Sequence, residues 1–94
     1  MVVFVPASRF PLGEILATST VIGCVSEADI RRAVFKHALG ESGEFSEEER
    51  SKTKRAIENG ARLFTAHESS DGVKFLVVTE SDRSVTTVLL EHEL

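Results

Sequence analysis

Apolar residues along this chain follow two rhythms, one helical in the first half and one strand-like in the second. From Ser26 to Leu39 the positions Ile30, Ala33, Val34 and Ala38 recur at helical spacing, and Ala28, Phe35 and Leu39 widen the stripe, which predicts an amphipathic helix. Ser26 and Asp29 stand at capping-box spacing at its start, and Gly40 ends it. A loop is expected at Gly40 to Phe45. Ser46 and Glu49 open a second helix that carries glutamates in its first turn, Lys52, Lys54 and Arg55 later, and Gly60 after its end. Its apolar surface is small, chiefly Ala56 and Ile57, so its first two turns are expected to stand in solvent, supported by pairs such as Glu48 with Lys52.

After Gly60 the period changes to two. The segments 61–67, 73–80 and 85–91 read as three strands, separated by Ser69-Ser70-Asp71-Gly72 and Ser81-Asp82-Arg83-Ser84. In the middle one Val73, Phe75, Val77 and Thr79 share one face and Lys74, Leu76, Val78 and Glu80 the other, so a strand covered on both sides is expected. Nearer the start, residues 1–5 read as a strand stopped by Pro6. Phe10 to Thr18 reads as a short helix led by Pro11, and Thr20 to Val25 as a β-branched strand in which Gly23 marks a bulge or a close backbone approach.

These elements imply an α+β fold over residues 1–94 as a single domain. Two main helices pack on an antiparallel sheet of four or five strands, the last three forming a C-terminal meander. The expected core is Phe4, Ile22, Ile30, Val34, Phe35, Ile57, Leu63, Phe75, Val77, Val88 and Leu90. Its 94 residues suit one domain, and 41% hydrophobic content with 28% charged residues is the composition of a folded globule. The opening lacks the order of a secretory signal and no 18-residue apolar run is present, so a soluble, cytoplasmic protein that uses no membrane is expected. The formal net charge of -4 disfavours a polyanion as a general partner, so any nucleic-acid contact must come from a local patch.

Candidate chemistry is sparse. His37 falls on the helical apolar stripe, where the expected role is a half-buried imidazole bonded to a backbone group, with a ligand or base as the sharper alternative. His67 ends a strand; Glu91, His92 and Glu93 are expected to fray into solvent. Cys24, flanked by Gly23 and Val25, reads as a small buried side chain rather than a nucleophile. No phosphate loop, nucleophile elbow or metal-finger spacing occurs, so no catalytic, cofactor-binding or metal-ligating residue is assigned and no cofactor is expected.

Basic residues form two groups that could track a phosphate backbone if they faced one way: Arg31, Arg32 and Lys36, then Arg50, Lys52, Lys54, Arg55 and Arg62. The closing strand offers Val85, Thr87, Val88, Leu89 and Leu90 as a homodimer interface if it lies at a sheet edge. The leading expectation is a non-enzymatic regulatory or protein-interaction module acting as a homodimer; a nucleic-acid-binding, transcription-associated protein using the basic helix faces is the alternative.

Two resemblances bear on these expectations. Residues 3–17, VFVPASRFPLGEILA, resemble the opening of bacterio-opsin-activator-type regulators of halophilic archaea, which implies an archaeal source and a regulatory setting. The DNA-binding helix-turn-helix of that family has no counterpart in these residues, so no contact residue carries over. A helix ending in AIENG and a hairpin ending in VTTVLL are similar to small ribonuclease toxins of the RelE kind, which implies RNA cleavage with Arg83 and His67 in the acting places.

Overall fold

A computed structural model describes residues 8–40 and 47–94. In chain order the elements are β1 (Glu14–Ala17), α1 (Ser19–Cys24), α2 (Glu27–Ala38), α3 (Glu47–Asn59), β2 (Leu63–Glu68), β3 (Lys74–Thr79), β4 (Val85–Leu90) and a closing 3-10 turn, Glu91–Glu93. The strands form one mixed sheet in the order β1-β4-β3-β2. The chain is therefore α+β, with helices packed on a sheet. The pairs β2·β3 and β3·β4 run antiparallel, whereas β1 lies parallel to β4, which replaces the expected all-antiparallel sheet. The expected strand at 1–5 with Phe4, the loop after Gly40 and the cap at Ser46 lie outside the described residues.

Residues 10–25 exchange the two elements the sequence suggests. The segment expected as a helix holds strand β1, and the β-branched run expected as a strand is the six-residue helix α1. Gly13 explains the first reversal: its φ is +65°, and a Cβ there would collide with the Ser84 carbonyl, so the chain turns at Gly13 and passes against the β3–β4 connection. The following residues take their backbone bonds from β4, with Glu14 N–H donating to Ser84 at 3.0 Å and Thr18 N–H to Val88 at 3.0 Å. Thr18 explains the second. Its hydroxyl accepts from the Val21 N–H at 3.1 Å, an N-cap that outweighs the weak helix preference of the β-branched residues behind it. Gly23 is consequently helical with open space around it and Cys24 is exposed, so neither a bulge nor a buried thiol is found.

Helix α2 forms as its pattern predicts, with the Ser26 hydroxyl accepting from Asp29 N–H at 3.2 Å. Its Ile30, Ala33 and Val34 meet Phe75, Val77, Val88 and Leu90 on one face of the sheet, joined by Val21 and Val25. Each large side chain enclosed this way contributes about 1.5–3 kcal/mol. Phe35 points off that stripe and is 46% exposed; Ile22, turned outward once its segment is helical, is 59% exposed. Both leave the expected core, and Ile57 is half-buried. Leu76, Val78 and Leu89 form a second buried cluster on the opposite sheet face, so both rows of β3 are enclosed. Gly60 follows α3 with φ +67°, and Lys52 pairs with Glu48 on its exposed side at 3.9 Å.

Candidate functional site: a threonine and histidine chain beneath helix α2

The inward rows of the sheet are not wholly apolar. Thr65 on β2, Thr79 on β3 and Thr86 on β4 all turn toward α2 and are buried, and His37 descends from α2 among them with 1% of its surface exposed. Thr79 and Thr86 sit directly opposite in the β3·β4 register. Together these groups make one continuous run of short hydrogen bonds. Nε2 of His67 lies 2.7 Å from the Thr65 hydroxyl, which lies 2.8 Å from Nδ1 of His37. On the other side of the His37 ring, Nε2 is 2.7 Å from the Thr79 hydroxyl, Thr79 is 2.7 Å from Thr86, and Thr86 donates to the Leu12 carbonyl at 2.7 Å.

The last acceptor, together with the neutrality that burial imposes on His37, fixes every proton in the run. A carbonyl has no hydrogen, so the Thr86 proton belongs to Leu12 and Thr86 must accept from Thr79. Thr79, its one proton committed, accepts from an Nε2–H of His37. The bare Nδ1 of His37 then accepts from Thr65, and Thr65 accepts from an Nε2–H of His67. With burial keeping both rings uncharged, both imidazoles are Nε2–H tautomers. Burial is the main cause that pushes His37 down to about 3, reinforced by the charges of His67 and Arg83; burial, then Lys36, pushes His67 down to about 4. Nδ1 of His67 makes no hydrogen bond among the described residues, and because no buried side-chain nitrogen or oxygen there lacks a partner, this accepting atom keeps some exposure.

The His67 side chain lines a cleft of about 200 Å³ between α2 and the end of β2, together with Asp29, Arg32, Ala33, Lys36, Ala66, Glu68 and Phe75. Phe75 forms part of its floor, its ring 5.7 Å from that of His67. Asp29 sets the rim. One oxygen accepts from the Ser70 N–H at 3.1 Å and from the Ser70 hydroxyl at 2.8 Å, and the other accepts from Arg32 at 3.1 Å. Those bonds, the Ser70 N–H foremost, hold the Asp29 carboxyl below its ordinary range. The carboxylate therefore ties the β2–β3 turn to α2 and fixes the Arg32 head at the opening.

The basic groups divide between helices. Arg31 pairs with Glu27 at 2.7 Å, Arg32 with Asp29 at 3.1 Å, Lys52 with Glu48 at 3.9 Å and Arg62 with Glu80 at 3.3 Å. Arg32 and Lys36 reach the cleft; Lys54 and Arg55 are exposed on α3, and the Arg50 side chain lies outside the described residues. Arg83 does not join His67. It stands in the β3–β4 turn at the other end of β2, with φ +61°, and its guanidinium donates to the carbonyls of Ala61 at 2.7 Å and Glu80 at 3.2 Å while lying over the Phe10 ring at 5.4 Å.

The dimer expectation rested on an edge that β4 does not have. Strand β4 is paired on both sides, and its Val88, Leu89 and Leu90 are buried within the chain, while Val85 and Thr87 are half-buried. Residues 91–94 are exposed as expected, but Glu93 is tied down: it accepts from Leu90 N–H at 2.8 Å and from the Thr18 hydroxyl at 2.9 Å, which holds its carboxyl low. No group of three metal-ligating side chains occurs among the described residues, and no helix among them is long and apolar enough to cross a membrane.

The histidine chain escaped the sequence reading because threonine in a strand is read as a β-former. A histidine on an apolar stripe needs partners, and inward threonines on facing strands are the signal that supplies them. No family model matches the chain, and neither a curated protein nor a solved structure matches it.

Proposed function

We propose that the protein is a non-enzymatic regulatory or interaction module whose recognition site is the cleft between α2 and β2. One observation carries the reading: a directed run of hydrogen bonds ends at the Leu12 carbonyl and leaves a single accepting nitrogen, Nδ1 of His67, at the open end. A general base needs a proton it can take and pass on. Here a proton delivered inward would end on His37, a buried imidazole with an Nε2–H already committed to Thr79. The cleft lining also holds no hydroxyl or thiol to act as a nucleophile. What it does hold is suited to recognition: an immobile acceptor, two cations at the rim and an aromatic floor.

The test is amide and imidazole chemical-shift mapping of the whole chain against a panel of phosphate esters, carboxylic acids, amines and short peptides. Saturable shifts confined to residues around Ala33, Lys36 and His67, without conversion of the ligand, are the expected result. Turnover of any panel member that disappears in His67→Gln would overturn the non-enzymatic reading, and a panel that leaves those residues unmoved would overturn the site.

A further inference from the structure

Resting on that reading of the cleft, we infer that its ligand is a small oxyanion carrying its own O–H, above all a phosphate group in its hydrogen-phosphate form, with the O–H donated to Nδ1 of His67 and the anionic oxygens facing Lys36 and Arg32. The class follows from what each wall accepts or refuses. His67 spends its Nε2–H on Thr65, so its cleft side is a lone pair that repels a bare anionic oxygen and welcomes a hydrogen-bond donor. An ammonium group would satisfy that lone pair, but it would lie in the same cleft as the Lys36 ammonium, while Arg32 and Asp29 offset each other as a pair. A donor on an anion satisfies both walls.

The remaining charged groups sharpen the choice. Asp29 has both oxygens engaged, by Ser70 and by Arg32, so it acts as the anchor of Arg32 rather than as a free negative wall. Glu68, at the exposed end of β2, is the other carboxylate of the lining and disfavours ligands of high negative charge. With Arg32 and Lys36 set against Asp29 and Glu68, the lining is balanced, and a weakly charged, protonated oxyanion fits it better than a fully ionised one. The volume of about 200 Å³ exceeds the ~30 Å³ share of one water several times over, leaving room for a phosphate and a small organic substituent. The position of the acceptor is also fixed: rotating the His67 ring to present an N–H would break the bond to Thr65, whose own proton is held by His37.

The discriminating pair is inorganic phosphate and sulfate, alike in shape, of which only phosphate keeps an O–H near neutral pH. Each is titrated into the intact protein at about pH 6.5, where both histidines are neutral, at matched ionic strength and with imidazole nitrogen shifts as the readout. Phosphate is expected to move the His67 Nδ1 signal and the Lys36 side chain saturably, with sulfate at least about tenfold weaker, since a site built around a hydrogen bond rejects the analogue that lacks it. Lys36→Met, a change at the cleft rim that leaves the threonine chain intact, is expected to weaken phosphate several-fold. His67→Phe is expected to reduce phosphate to the sulfate level. Equal responses to the two ions overturn the requirement for an O–H, and no cleft response to either overturns the oxyanion. The broader panel separates these failures from failure of the site itself: a cleft that answers amines or peptides but neither ion refutes the oxyanion alone.

Discussion

The two ends of the hydrogen-bonded run use the same side chain in opposite ways. At the enclosed end His37 has both nitrogens bonded, an edge-on contact with the Phe10 ring at 5.4 Å and essentially no exposure. At the open end His67 has one nitrogen bonded and one facing the cleft. Both rings are neutral, and for the same reason, burial. The difference of a single nitrogen separates a residue that holds the fold from one that can meet a ligand. The enclosed ring also prepares the open one, because its demand for the Thr65 proton dictates which tautomer His67 presents.

The largest effect should come from breaking the enclosed end. His37→Ala strips partners from Thr65 and Thr79 and opens a void beneath α2, a loss of roughly 3–5 kcal/mol in chemical unfolding. The same variant should flatten the acid side of the stability curve. In the folded protein His37 and His67 titrate at about 3 and about 4, below their ordinary 6.5, so the unfolded chain binds protons that the folded chain refuses. Stability from their neutrality is complete above about pH 6.5 and falls as the pH drops toward 4, by about 1.4 kcal/mol per pH unit for each such histidine. A wild-type stability that does not decline between those values would show that the rings are charged in the fold.

A smaller effect is expected midway along the run. Thr79→Val keeps the shape of the side chain but leaves the His37 Nε2–H without an acceptor, at a cost of about 1–3 kcal/mol. It should also release the His67 tautomer, since without the Thr79 acceptor nothing holds the His37 proton on Nε2 and Thr65 is free to donate to Nε2 of His67; an unchanged His67 imidazole spectrum would contradict the proton assignment. The smallest effect belongs to the solvent side of α3. Lys52→Ala removes a pair separated by 3.9 Å with both side chains largely in water, so the midpoint of unfolding should move by less than about 0.5 kcal/mol.

What was legible in the sequence was whatever local pattern alone decides. The α2 helix follows from its stripe and its Ser26 cap, and the strands β2, β3 and β4 follow from alternation and from the two polar turns between them. Residues 10–25 were misread because their state is set by partners far along the chain. Strand β1 exists through bonds to β4, and Gly13 is shaped by Ser84, neither of which a local window contains. The site was half visible: His37 stood on the stripe and Thr79 shared a face with Phe75 and Val77, but Thr65 and Thr86 join them only through the sheet register. His67 gave no local sign of its role. Its tautomer depends on a carbonyl at Leu12, reached only through four other side chains.

The parallel pairing of β1 with β4 also governs the order of events during synthesis. Residues 14–17 leave the ribosome well before their partners at 85–88 are made. Until then the first strand has no template, the Leu12 carbonyl has no hydroxyl to receive, and Glu93 has not arrived to fasten Thr18. Nascent chains therefore cannot complete this sheet vectorially from the front. A β2–β3–β4 hairpin array with α2 laid across it is the unit able to assemble first, and β1 joins it afterwards across a long intervening loop.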